Sequence, residues 1–172
     1  MLKKLMILAY LFSHPAGATH GPEVFKVTSP AFRNHGTISK QYTCLSSNVP
    51  PPLKWTGVPK KTESLVLIVM DRDAPKHTWY HWDVYNIPAK DAELNSKVAL
   101  GSSAKVASNS WGNHYYQGPC PSSGIHHYNF QLYALDAVLD FSGKSVDALV
   151  LRKAMRHHIL ARALLVGRFG LS

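Results

Sequence analysis

Carboxylates and imidazoles placed where an apolar strand runs out are the groups in this 172-residue chain most suited to chemistry. The stretch DRDAPKHTWYHW, residues 71–82, follows the apolar run Leu65 to Met70. Asp71 closes that run, so its carboxylate emerges at a core edge, where an isolated charge is costly unless solvated or hydrogen-bonded. Asp73, ahead of Ala74 and Pro75, reads as a turn residue. Together these groups form either an ordinary polar turn or part of a pocket lining. A second source of polar groups is HHYNFQLYALD, residues 126–136. Strand alternation puts His126, Tyr128, Phe130, Leu132 and Ala134 on one side and His127, Asn129, Gln131 and Tyr133 on the other. The first side has an apolar interior and is the core side. A buried imidazole and phenol there need partners, which can be each other, the backbone or a ligand. In TWYHWDVYNI, residues 78–87, the same rule groups Trp79, His81, Asp83 and Tyr85 on one face and Trp82 and Val84 on the other.

Several chemistries can be weighed on these residues. Hydrolysis would need a nucleophile within reach of Asp71 with His81 or His126; Ser122 and Ser123 lie close in sequence to His126, but neither stands in a nucleophile-elbow motif. A metal site lacks ligand spacing: His126 and His127 point to opposite strand faces, and His157 and His158 are adjacent rather than four apart. No glycine-rich phosphate motif is present, which argues against nucleotide-type binding. The loop around Gly118 could still offer backbone N–H groups to an anion, with Pro119 and Pro121 stiffening its flank. No cofactor is implied.

The elements that must position these groups are mostly strands. VFKV (24–27), ESLVLIVMD (63–71), TWYHWDVYNI and HHYNFQLYALD read as strands, the second as one buried on both faces. Turns fall at Pro50–Pro52, Gly57–Pro59, Asp73–Pro75 and Gly118–Gly124. The tail, 145–169, reads as an amphipathic helix with Ser145 as N-cap, a basic outer face and a stop at Gly167. The expected fold is mainly β with peripheral α, in one domain over residues 19–172.

Residues 1–18 read as a secretory signal: a basic start, MLKK, an apolar stretch, LMILAYLF, and a small-residue cleavage site ending at Ala18. The mature chain would be secreted or periplasmic, with no transmembrane segment. The formal net charge is +9, and loss of Lys3 and Lys4 with the leader still leaves the chain basic. Such charge favours anionic partners in general. The basic residues are too scattered to resemble a nucleic-acid arm, so no nucleic-acid partner is expected. Export would permit a disulfide between the two cysteines, Cys44 and Cys120; spacing alone leaves the bond open.

Two motifs, DRDAP…HW and GPCPSSGIHHYNFQLYALD, resemble the phosphatidylethanolamine-binding protein family, specifically its bacterial YbhB/YbcL-like, Raf-kinase-inhibitor-like branch. YTC (42–44), PPLKWTGVP (51–59), SLVLIVMD (64–71) and HILARALLVG (158–167) fit the same pattern in the same order. The resemblance covers about residues 24–169. It implies a β-sandwich with a small anion-binding pocket at one end and a C-terminal helix near its mouth. It also implies that Asp71, Trp79, His81, Gly118, Pro119, His126 and Tyr128 form that pocket. The chain departs from the pattern at Arg72, where a proline is usual, and at Leu45–Ser46, where Asp-Gly is usual. It also carries Leu164 for a frequent glutamate and Phe169 for a frequent tyrosine, which would make the C-terminal side of the mouth more apolar.

The expectation is a non-enzymatic binding protein for a phosphate, phosphoryl head group or carboxylate. Protonated imidazoles, the Tyr128 phenol and loop amides would donate to its oxygens, and Asp71 would orient a histidine. An inhibitor of another protein, such as an extracytoplasmic hydrolase or a kinase-type target, is the alternative.

Overall fold

A computed structural model of the chain describes residues 23–94 and 103–170. The proposed leader lies outside the described residues. The strands are β1 (Lys26–Thr28), β2 (Gly36–Thr37), β3 (Leu53–Thr56), β4 (Ser64–Asp71), β5 (Trp79–Pro88), β6 (Glu93–Leu94), β7 (Lys105–Val106), β8 (Ile125–Leu135) and β9 (Ile159–Gly170). One helix, α1 (Ala148–Met155), precedes β9. The strands form a small sheet ordered β1-β3-β6 and a six-stranded sheet ordered β2-β9-β8-β4-β5-β7. Among the described residues no helix is long and apolar enough to cross a membrane.

Strand β4 is the hub. It pairs antiparallel with β5 on one side and β8 on the other, and every one of its residues is buried. That is why its sequence is apolar without alternation: each face has its own core. Leu65, Leu67 and Val69 face the small sheet, where they meet Leu53, Trp55 and Phe130. Val66, Ile68 and Met70 face the helix side, with Tyr133, Leu151 and Met155. The mainly β sandwich with peripheral α is thus the fold the sequence implies.

The tail departs from expectation. The helix is only Ala148–Met155, and Asp147, not Ser145, caps it by accepting from the Val150 N–H at 2.8 Å. From Ile159 the chain is a strand that pairs with β8 along its whole length, from Leu135↔Ile159 to Ile125↔Gly170. The segment also carries a period of two: Ala163, Leu165 and Phe169 are buried, while Leu160, Arg162, Leu164 and Arg168 are exposed. Pairing with a long neighbour outweighs the helix propensity of Leu, Ala and Arg. Gly167 is no helix stop. A Cβ there would stand 2.6 Å from the Ile38 side chain, so its lack of a side chain admits close packing. The helix covers the outer face of the large sheet and contributes no residue to the cavity lined by Asp71, His81, His126 and Tyr128.

A bulge corrects the face assignment in β5. Val69 pairs with Trp82 and Met70 with Tyr80, which leaves His81 unopposed. His81 and Trp82 therefore both serve the inner side, and the alternation beyond them is reversed. Tyr85 belongs to the helix-side core, and Asp83 lies between Asp147 and Arg152 in its electrostatic surroundings rather than beside His81.

Cys44 and Cys120 are joined by a disulfide, with Cα atoms 5.5 Å apart. The Cys44 N–H also donates to the Pro119 carbonyl at 3.1 Å.

Candidate functional site

The three central strands end in one row. Asp71 is opposite Tyr128 on β8 and opposite Trp79 on β5. His126 follows Tyr128 by two residues and so shares its face. The β5 bulge swings His81 toward the same place, with its ring 5.3 Å from that of Tyr128. Asp71, Trp79, His81, His126 and Tyr128 thereby line one cavity of about 250 Å³, whose lining also includes Trp111, Pro121 and Ser122.

The polar groups divide into satisfied and unsatisfied. Asp71 is buried (4% exposed). Its Oδ2 accepts from His126 Nδ1 at 2.6 Å, and its Oδ1 accepts from the Asp73 N–H at 2.8 Å. The carboxylate thus fixes the His126 ring and leaves Nε2 as its free nitrogen. His81 Nδ1 donates to the Gln117 carbonyl at 2.6 Å. A carbonyl only accepts, so Nδ1 carries the proton and Nε2 of the neutral ring offers a lone pair. His81 Nε2, Trp79 Nε1 and the Tyr128 hydroxyl are all buried with no partner. The Asp71 carboxylate and the Cys120 amide stand near that hydroxyl, but neither completes a hydrogen bond of ordinary geometry.

Burial pushes the His81 pKa down, against the opposing pull of the Gln117 carbonyl and of Asp71. The imidazole is therefore neutral at pH 7. Burial, then the Asp71 charge, push the Tyr128 pKa far up, so the phenol stays a donor at neutral pH. The residues lining the cavity thus hold two unpartnered donors, Trp79 N–H and Tyr128 O–H, one unpartnered acceptor, His81 Nε2, and the free Nε2 of His126.

A family model described as phosphatidylethanolamine-binding protein matches residues 28–170. The chain belongs to the phosphatidylethanolamine-binding protein family. A UPF0098 protein of Methanothermobacter thermautotrophicus is 43% identical over 81% of this chain and 94% of its own length. One from Aquifex aeolicus is 35% identical over 98% of both chains. Among solved structures, a putative phosphatidylethanolamine-binding protein homolog from Chlamydia trachomatis has 36% identity and a TM-score of 0.80, covering 86% of this chain and 98% of its own. Escherichia coli YbcL, a member of the same family, has 27% identity and a TM-score of 0.80, covering 86% and 99%.

Against the family pattern, two expected site residues change role. Gly118 and Pro119 do not line the cavity. The Gly118 N–H is consumed by Asn48 Oδ1 at 2.8 Å, and a Cβ at 118 would overlap the Tyr42 carbonyl oxygen. This glycine exists for close approach of the 42–48 loop, and Pro119 supplies its carbonyl to Cys44. The expected change at the mouth also fails. Phe169 pairs with His126 across the strands but is buried in the inner core, behind the lining rather than in it, and Leu164 is exposed on a strand whose alternation turns it to the opposite face. Asp73 does more than turn the chain: its Oδ2 accepts from both the N–H and Nδ1 of His127, each at 2.8 Å.

Sequence reasoning missed Trp111, whose ring packs edge-on against both His81 and Trp79 at 5.2 Å. The signal was the Asn two residues before it. Asn109 Oδ1 accepts from the Trp111 and Asn113 N–H groups at 3.0 Å, a side-chain-closed turn that Asn favours.

Proposed function

We propose that the chain is an exported, non-catalytic binding protein that holds a small phosphoryl or carboxylate anion in the cavity between Asp71, His81, His126 and Tyr128. The observation that carries this reading is that Trp79, His81 and Tyr128 line one cavity and each holds a buried polar atom without a partner: Trp79 Nε1, His81 Nε2 and the Tyr128 hydroxyl. Each is expensive to leave unmade, on the order of 1–3 kcal/mol, and a ligand oxyanion is what they jointly fit. Tyr128 and Trp79 donate to two of its oxygens. A third oxygen, carrying a proton, donates to His81 Nε2. Alternatively His81 takes up that proton as the anion enters, because a nearby negative charge favours the imidazolium. Binding is therefore coupled to proton uptake or favours the partly protonated ligand, and it tightens at mildly acidic pH. For His81 this replaces the expectation of a charge carried in advance.

Ser122 lines the cavity but makes no hydrogen bond to an imidazole among the described residues, so binding is the better-supported reading than hydrolysis. The disulfide supports residence in an oxidising compartment, the periplasm or the medium.

The test is calorimetric titration with inorganic phosphate and phosphoethanolamine at pH 5.5 and 7.5, in buffers of different ionisation heat. Tighter binding at the lower pH, with a buffer-dependent heat at the higher, is expected. Equal affinity at both values, or His126→Ala binding like the parent, overturns the proposal.

A further inference from the structure

A larger cavity, about 490 Å³, lies on the opposite face of the same sheet. It is bounded by the end of α1, by β8 and by the start of β9. Four cations line it: Arg152, Lys153, Arg156 and Arg162. No carboxylate is in its wall, and none of the four forms an ion pair among the described residues. Asp136 is held by His158 at 2.9 Å, and Asp147 is committed to capping the helix.

The cations are organised, not merely numerous. Tyr133, on the helix-side face of β8, is buried (3% exposed) and fixed by its packing in the core. The Arg162 guanidinium lies over its ring, 5.7 Å from the centroid, and Arg152 stands near its hydroxyl. Two guanidinium groups thus gather around one buried phenol, and the stacked Arg162 has less freedom to lose when it binds. Lys153 and Arg156 add charge from the helix. Gathering four like charges is unfavourable unless an anion compensates them. The volume falls in the range of small-molecule sites.

We propose that this second cavity binds a compact soluble polyanion bearing two or more phosphoryl groups, independently of the site on the other face. The guanidinium groups take phosphoryl oxygens in pairs, and Lys153 serves as a movable point charge. Because β4 and β8 separate the two cavities, occupancy of one leaves the other's ligands untouched.

The experiment uses the full chain with pyrophosphate and inositol hexakisphosphate as probes, in calorimetry at low and moderate salt. The wild type is expected to bind both, more weakly as salt rises. The combined variant Arg152→Gln, Arg156→Gln, Arg162→Gln should lose about tenfold or more in affinity for them, while keeping its response to orthophosphate in the first cavity. His126→Ala should keep polyanion binding. Amide-proton NMR shifts on adding pyrophosphate to the wild type should centre on Tyr133 and residues 152–162 and spare His126, a readout that does not require the variant. Unchanged affinity in the triple variant, loss in His126→Ala, shifts centred on His126, or binding only to phosphatidylglycerol vesicles would each overturn the proposal.

Discussion

The disulfide offers the sharpest quantitative expectation. Cys44 and Cys120 are 76 residues apart in sequence, so the bond closes a loop of nearly half the chain. In the chain-entropy treatment a loop of that length removes denatured-state entropy worth about 4.5 kcal/mol at 25 °C. Both cysteines are exposed, so serine replacements leave no cavity and reductant reaches the bond in the native state. The assay is urea unfolding of the oxidised chain, the reduced chain and the Cys44→Ser, Cys120→Ser variant. With a urea slope of about 2 kcal/mol per molar, typical for this size, the midpoint should fall by about 2 M. The slope itself should rise, because the uncrosslinked denatured chain exposes more surface. The reduced chain and the serine variant should coincide. A fall below about 0.5 M, with the slope unchanged, would show that the bond does not act through the denatured loop. The reasoning would then be wrong at its root.

Two further expectations follow from buried polar groups. Tyr128→Phe removes a hydroxyl that has no partner in the empty site, so thermal melting without ligand should show unchanged or slightly raised stability, whereas calorimetry should show anion affinity reduced by about tenfold or more, the scale of one lost hydrogen bond to a charged group. A melt lowered by several degrees would mean the hydroxyl is already satisfied. Asp83 is fully buried with neither oxygen partnered, and burial pushes its pKa well up. The native state keeps a proton that the unfolded state sheds near pH 4, so stability declines as pH rises from there until the native carboxyl also ionises. Asp83→Asn should flatten that decline between pH 4 and 8 in urea titrations and be the more stable form at the alkaline end; a parallel pH profile would refute the assignment.

The parts of the fold that could be read from sequence were those whose local pattern and tertiary role agree. Leu65–Met70 is apolar because β4 is covered on both faces, and the alternation from His126 to Ala134 mirrors the sheet it lies in. His126 and Tyr128 could be placed on the core face by that alternation, and Asp71 at a core edge because it closes the apolar run. What could not be read was register. That Asp71 stands level with both Tyr128 and Trp79 depends on pairings between segments far apart in the chain. The bulge at His81 left no mark in the alternation before it and reversed the faces after it. The tail was misread because a period of two and a helical spacing coexist in Ile159–Gly170, and only the presence of β8 as a partner decides between them.

The site and the stability of the fold pull in opposite directions, and the architecture explains how both are kept. Three unpartnered polar atoms at the end of the inner core together cost on the order of several kcal/mol in the empty state. They also sit at the strand ends, where sheet pairing is giving way to loops. A fold held only by its strands could relieve that cost by letting the 109–122 segment collapse onto the cavity and satisfy the orphans from its own backbone. Three constraints oppose this. Asn109 fixes the turn that carries Trp111. Gly118 is locked against Asn48 and the Tyr42 carbonyl. The disulfide ties Cys120, on the cavity wall, to Cys44. Together they fix a wall that packs on His81 through Trp111 and Gln117 without supplying a partner to His81 Nε2 or the Tyr128 hydroxyl. The loop glycine and proline expected to touch a ligand are instead tied to the 42–48 loop, through Asn48 and Cys44, and brace that wall from behind.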